Sequence, residues 1–139
     1  MINKLFGNLS ITEKALDASW IRNEVIADNI SNVDTPGYKR KEVKFEEFLQ
    51  KSISETGIKG LKTDPRHFDI GKTGYKNIRD LPIKVAVDNS NNSMRLDGNN
   101  VDIENEMATM AKNYIKYNVL IQNINSGFKM LKSVINEGR

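Results

Sequence analysis

The chain has 139 residues, 38% hydrophobic and 28% charged, the balance of a folded chain rather than a disordered one. It contains no cysteine, which excludes a disulfide framework and a thiolate metal site and removes any need for an oxidising compartment. No stretch approaches the roughly 18 apolar residues of a membrane-spanning helix, and a net charge of +3 is too small an excess to identify an acidic partner.

The opening residues, MINKLFGNLSITEKALDASW, have an early Lys4 but neither the apolar run nor the small-residue cleavage site of a secretory signal, so no cleaved signal is expected. Ser10 and Glu13 stand in S-x-x-E spacing, in which each side chain satisfies a free N–H of a first helical turn, and this predicts a helix starting there. Leu16, Trp20, Ile26, Ala27 and Ile30 follow at helical spacing on one face. Asn23 interrupts that face, either as a boundary position half in solvent or as a buried polar residue that sets the register of helix packing. Pro36 cannot continue the helix, Thr35 is pushed toward extended geometry and Gly37 is free to take a positive φ, so the helix ends in a turn.

Val43 to Ile53, with Phe45, Phe48 and Leu49, reads as a short helix or an ordered arm. Beyond it Gly57, Gly60, Gly71, Gly74 and Gly98, with Pro65 and Pro82, divide the chain into short strands and turns. LPIKVAV, residues 81–87, is the best strand candidate, 88–93 an exposed loop, and Asp97-Gly98 a turn into the last element.

That element carries the strongest pattern. Ile103, Met107, Met110, Tyr114, Tyr117, Ile121, Ile124, Phe128, Leu131 and Ile135 alternate at steps of four and three, a 3.5-residue period that calls for a supercoiled helix partner over about 50 Å. Asp102, Glu104 and Glu106 at its start and Lys129, Lys132 and Arg139 toward its end match the helix dipole. Ala111, Leu120, Gly127 and Val134 widen the apolar face beyond one seam, as in a wall or tube where each helix touches neighbours on both sides. The first helix, read as two-thirds as long, would cover only part of this face and leave the rest to other subunits.

Catalytic and metal-binding patterns are missing. His67 has no cysteine to share a zinc site with, and Asp97 to Asp102 lacks the ligands of a calcium loop. The pairs Glu46/Glu47 and Glu104/Glu106 read as solvated charged faces, and there is no phosphate-cradling glycine loop or nucleophile elbow. No cofactor, no metal and no enzymatic activity are expected. Between Pro36 and Arg79 eleven Lys/Arg stand against six Asp/Glu, and Lys39-Arg40-Lys41 beside Tyr38 could touch phosphates, but interleaved acids and the lack of a nucleic-acid-binding motif weigh against it. A basic nucleic-acid binder and a free-standing helical adaptor are the alternatives to a structural subunit.

Residues 27–40, ADNISNVDTPGYKR, resemble the N-terminal signature A-x-N-I-A-N-x-x-T-P-G-Y-[KR] of the bacterial flagellar rod, hook and hook-cap family, with Ser31 for the usual alanine. KEVKFEEF at 41–48 and LDGNNVDIENEM at 96–107 are most similar to the proximal rod proteins of that family. The resemblance implies a mainly α chain whose N- and C-terminal helices pair as an extended coiled coil, with residues 1–35 and 100–139 as rod core, 36–54 as turn and connecting arm, and 55–99 as a partly β outer segment. It also implies a homo-oligomer in the rod of the flagellar basal body, meeting other rod proteins and the membrane-ring and export apparatus after type III export without a cleaved signal. Asn29, Asn32, Thr35, Pro36, Gly37 and Tyr38 are then the signature turn, and Arg22, Asn29 and Asn32 polar contacts between neighbouring subunits.

Overall fold

A computed structural model describes residues 2–54, 81–88 and 96–137. In chain order it has α1 (Ile2–Ser31), β1 (Lys41–Lys44), α2 (Glu46–Ser54), β2 (Lys84–Val87) and α3 (Ile103–Glu137). His67 and the glycine-punctuated stretch 55–80 lie outside the described residues, as does most of the loop at 88–93.

The architecture is mainly α, as the periodicity predicts. Asn29 on α1 reaches Glu106 on α3, Asn23 and Ser19 reach Asn113, and Leu9 faces Gly127. The partners descend one helix as they climb the other, so α1 and α3 run antiparallel from Leu9 and Gly127 to Asn29 and Glu106. A side chain at Gly127 would put its Cβ 2.8 Å from Leu9 Cδ1, so this glycine admits Leu9 between the helices.

Helix α1 begins at Ile2 rather than at the Ser10 cap, and its 30 residues nearly match the 35 of α3. The upstream residues contain no proline, and one interior glycine costs only about 1 kcal/mol against alanine, so a local cap signal does not stop the helix. The expected shortfall in length is therefore corrected. What limits coverage of α3 is rotation.

The α3 positions turned inward are Glu106, Thr109, Asn113, Tyr117, Leu120, Ile124, Gly127 and Leu131, all buried or half-buried. Of the ten seam residues, Tyr117, Ile121, Ile124 and Leu131 are half-buried, while Ile103, Met107, Met110, Tyr114, Phe128 and Ile135 are exposed. On a straight helix of 3.6 residues per turn, a 3.5-residue repeat creeps round the surface by about 20° per heptad. The stripe that meets α1 at Tyr117, Ile124 and Leu131 has rotated away from it by Met107 and Ile103.

The predicted short helix forms as α2, and the strand candidate shortens to β2. Its partner β1, KEVK, carries no strand signal in its composition, yet pairs antiparallel with β2 from Lys41↔Val87 to Lys44↔Lys84. The bond from Asp88 N–H to Arg40 C=O, 2.7 Å, continues the ladder. Small Ala15 and Ala18 on α1 leave room for Phe45 and Leu81, and Phe48, Leu49 and Ile83 close this core. The middle of the chain is thus seated on α1.

Candidate functional site: a polar anchor beside an open apolar groove

Asn29 has no exposed surface and all its polar capacity is used inside the chain. Its Nδ2 donates to Lys41 C=O at 2.8 Å and to Glu106 Oε2 at 3.1 Å, and its Oδ1 accepts from Lys41 N–H at 2.9 Å and Tyr38 OH at 3.4 Å. One amide thereby pairs with the edge of β1 as another strand would, and ties it to both long helices. Glu106, 1% exposed, receives Arg40 Nε on its other oxygen at 2.6 Å. A carboxylate this deep is stable only with its charge and lone pairs answered, and Arg40 and Asn29 answer them.

The turn after α1 is closed by residues far along the chain. Asn32 Nδ2 donates to Asp28 C=O and its Oδ1 accepts from Thr35 OH, while Tyr38 N–H bonds Thr35 C=O. Asn99, 1% exposed, shares its two amide hydrogens among the carbonyls of Asn32, Val33 and Thr35 at 2.9–3.0 Å, in the turn just past the last residue of α1. Gly37 (φ 72°) and Gly98 (φ 78°) take left-handed conformations open to glycine, and Gly37 N–H bonds Asp97 C=O at 2.9 Å. Pro36 is exposed at the apex. Asn100 spans Arg40 N–H and Asp88 C=O, and Asp102 caps α3 through Glu104 and Asn105 N–H. The two stretches that carried the resemblance, 27–40 and 96–107, are one interlocked unit.

This geometry corrects two sequence readings. Arg22, Asn29 and Asn32 are engaged within the chain, Arg22 with Glu46 at 2.6 Å and Val43 C=O, so Asn29 in particular has nothing left for a neighbouring subunit. Glu106 is a buried partner of Arg40, not a solvated charge serving the helix dipole. Its one sequence signal is that it lies seven residues before Asn113, on the same inward line of α3. The Lys39-Arg40-Lys41 cluster is likewise spent on the fold: Lys39 on Gly98 C=O, Arg40 on Glu106, Lys41 on Asp28. Glu46 opens α2 between Arg22 and Lys116; burial pushes its carboxyl up, but its own backbone N–H, Arg22 and Lys116 together hold it below the usual range.

The predicted α1 positions divide. Ile26 is buried as expected and Leu16, Asn23 and Ile30 are half-buried, whereas Trp20 (61% exposed) and Ala27 face out, and Ala18, Ser19, Val25 and Asn29 complete the inward face. Asn23 is at once half in solvent and bonded across the helix pair, accepting from Asn113 Nδ2 at 2.7 Å. Between the helices lies an open groove of about 780 Å³ lined by Trp20, Asn23, Glu24, Ala27, Met107, Met110, Ala111 and Tyr114. Around this groove Asn29, Glu106 and Asn113 join the helices inside, while Trp20, Met107, Met110 and Tyr114 stand outside. No group of three His, Cys, Asp or Glu is gathered among the described residues.

A family model described as flagella basal body rod protein matches residues 9–39, which are most of α1 and the turn that follows. Over nearly the full length, the chain is 36% identical to the flagellar basal body rod protein FlgB of Bacillus subtilis, covering 96% of each chain. It is 34% identical to FlgB of Proteus mirabilis strain HI4320, covering 99% of this chain and all of that one. To FlgB of Salmonella typhimurium it is 30% identical over 99% of both. With full-length relatives at this identity and the signature turn folded into the anchor, the chain belongs to the FlgB family of flagellar basal body rod proteins.

Proposed function

We propose that this structural rod subunit is built into the basal body by packing the outward faces of α1 and α3 against copies of itself and other rod proteins, in a tube that transmits torque and surrounds the export path. The observation that carries this reading is the apolar face left open in the single chain: Trp20, Met107, Met110 and Tyr114 are 39–64% exposed beside one another. Water-exposed aromatic and methionine side chains in one patch favour association. The role is mechanical rather than catalytic, and export through the flagellar type III apparatus is the route that the likeness to rod proteins supports. Against a nucleic-acid role stands the engagement of Lys39, Arg40 and Lys41 within the fold.

The test is Met107→Asp and Tyr114→Asp in a strain whose own copy is deleted. Both chains are expected to keep their helical circular dichroism while rods and swimming are lost. Normal swimming in either strain would overturn the reading.

A further inference from the structure

We infer that the outer edge of β2 pairs antiparallel with the same edge of a second copy, making a four-stranded sheet across a two-fold axis in the free chain. The parity of the β1–β2 ladder decides which groups face out. Asp88 N–H donates to Arg40 C=O, so with the register Glu42↔Ala86 and Lys44↔Lys84 it is residues 84, 86 and 88 whose N–H and C=O point at β1. Those of Val85 and Val87 point away.

The same parity turns the N–H and C=O of Lys41 and Val43 away from β2, and there α1 covers them. Asn29 takes both groups of Lys41, and Arg22 donates to Val43 C=O at 3.5 Å. One edge of the two-stranded sheet is thereby closed. Among the described residues no group bonds the other edge, and Val85 and Val87 are 48% and 49% exposed. A row of outward N–H and C=O groups between β-branched side chains is a template for a further strand.

The sequence of β2 fits a second copy of itself. Of the antiparallel registers, the one centred on Ala86 keeps four hydrogen bonds within the two strands, with Val85 of each copy facing Val87 of the other. It sets Lys84 against Asp88 of the second copy, so unlike charges flank the contact at both ends and a small side chain lies on the axis. Lys84 is exposed, its Nζ 5.5 Å from the Phe48 ring centroid. A parallel strand in the same alignment would set lysine beside lysine. A two-fold contact closes on itself and cannot repeat among subunits that point the same way along a rod. The pairing therefore belongs to the chain before assembly and does not rest on the rod-subunit reading.

Because the chain has no cysteine, Ala86→Cys reports the axis: opposed residues of a non-hydrogen-bonded pair lie about 4.5 Å apart at Cα, within the span of about 4.4–6.8 Å that a disulfide bridges. Oxidation of the full chain should link Ala86→Cys with itself at least tenfold faster than Val85→Cys or Val87→Cys, each of which faces the other position. Val85→Pro removes an N–H that only the second copy uses and leaves the ladder to β1 intact. By sedimentation velocity its dimer dissociation constant should rise at least tenfold, with helical content and rod formation unchanged. Lys84→Glu brings like charges together and should weaken the dimer at least threefold at low salt. Slow linking of Ala86→Cys, a dimer that survives Val85→Pro, or a parent chain still monomeric at about 1 mM overturns β2 pairing. Loss of rods in Val85→Pro overturns it as well, because the edge would then be occupied in the rod; Met107→Asp decides the rod-subunit reading separately.

Discussion

Removing the guanidinium of Arg40 should unsettle the fold more than removing the carboxylate it meets. Arg40→Ala leaves Glu106, 1% exposed, with Asn29 Nδ2 at 3.1 Å as its remaining donor and no cation. Breaking a buried pair in this way costs about 3–5 kcal/mol, and the lower end applies because the Arg40 side chain is 23% exposed and water can enter when it is cut back. Glu106→Leu is milder. Arg40 can still reach solvent and Glu42, 3.6 Å away, and Asn29 keeps its bonds to Lys41, so the loss is about 1.5–3 kcal/mol for one charged hydrogen bond. The double variant Arg40→Met with Glu106→Leu buries neither charge and should return to within about 1 kcal/mol of the parent. Urea titration of the full chain by far-ultraviolet circular dichroism measures all three. With a slope of about 1–3 kcal/mol per molar, Arg40→Ala should shift the midpoint by about 1–3 M. A loss below about 1 kcal/mol for Arg40→Ala, or a double variant as weak as the sum of the singles, would refute the buried-charge reasoning.

Asn99→Ala removes the amide that gathers the carbonyls of Asn32, Val33 and Thr35, and because Asn32 and Thr35 C=O keep the N–H groups of Thr35 and Tyr38 it should cost about 1 kcal/mol. Asn99→Asp should cost more, because a carboxylate presents acceptors to acceptors, and amide exchange at residues 28–35 should quicken in the same order. The Arg22–Glu46 pair gives a pH signature. Because the folded Glu46 carboxyl lies below its usual range, its stabilisation is complete above the unfolded pKa and is lost as pH falls through the folded one. Glu46→Gln should therefore lower stability at neutral pH by about 0.5 kcal/mol or less, as for a half-exposed pair, and the difference should vanish in acid; a difference that persists there would contradict the assignment.

The sequence alone determined that two long helices exist, because periods of three and four residues and the Pro36-Gly37 stop are local properties of the chain. It also marked the two stretches, 27–40 and 96–107, that carry the resemblance to rod proteins. It could not show that these stretches are halves of one anchor, because Asn29 and Glu106 are 77 residues apart and nothing in either stretch names its partner. Strand β1 was illegible for the same reason: KEVK becomes a strand when Asn29 and β2 take up its backbone groups.

The side of α3 that faces α1 was likewise decided only in three dimensions. Hydrophobic spacing ranks positions by their wish to leave water, and on that ranking Met107 and Tyr114 outrank Glu106 and Asn113. The tertiary structure buries Glu106 and Asn113 instead: Arg40 and Asn29 answer both oxygens of Glu106, and Ser19 C=O and Asn23 Oδ1 accept from Asn113 Nδ2, while Asn113 Oδ1 is left buried without a partner. The apolar stripe, turning about 20° per heptad relative to the straight helix, is left at that end for another chain.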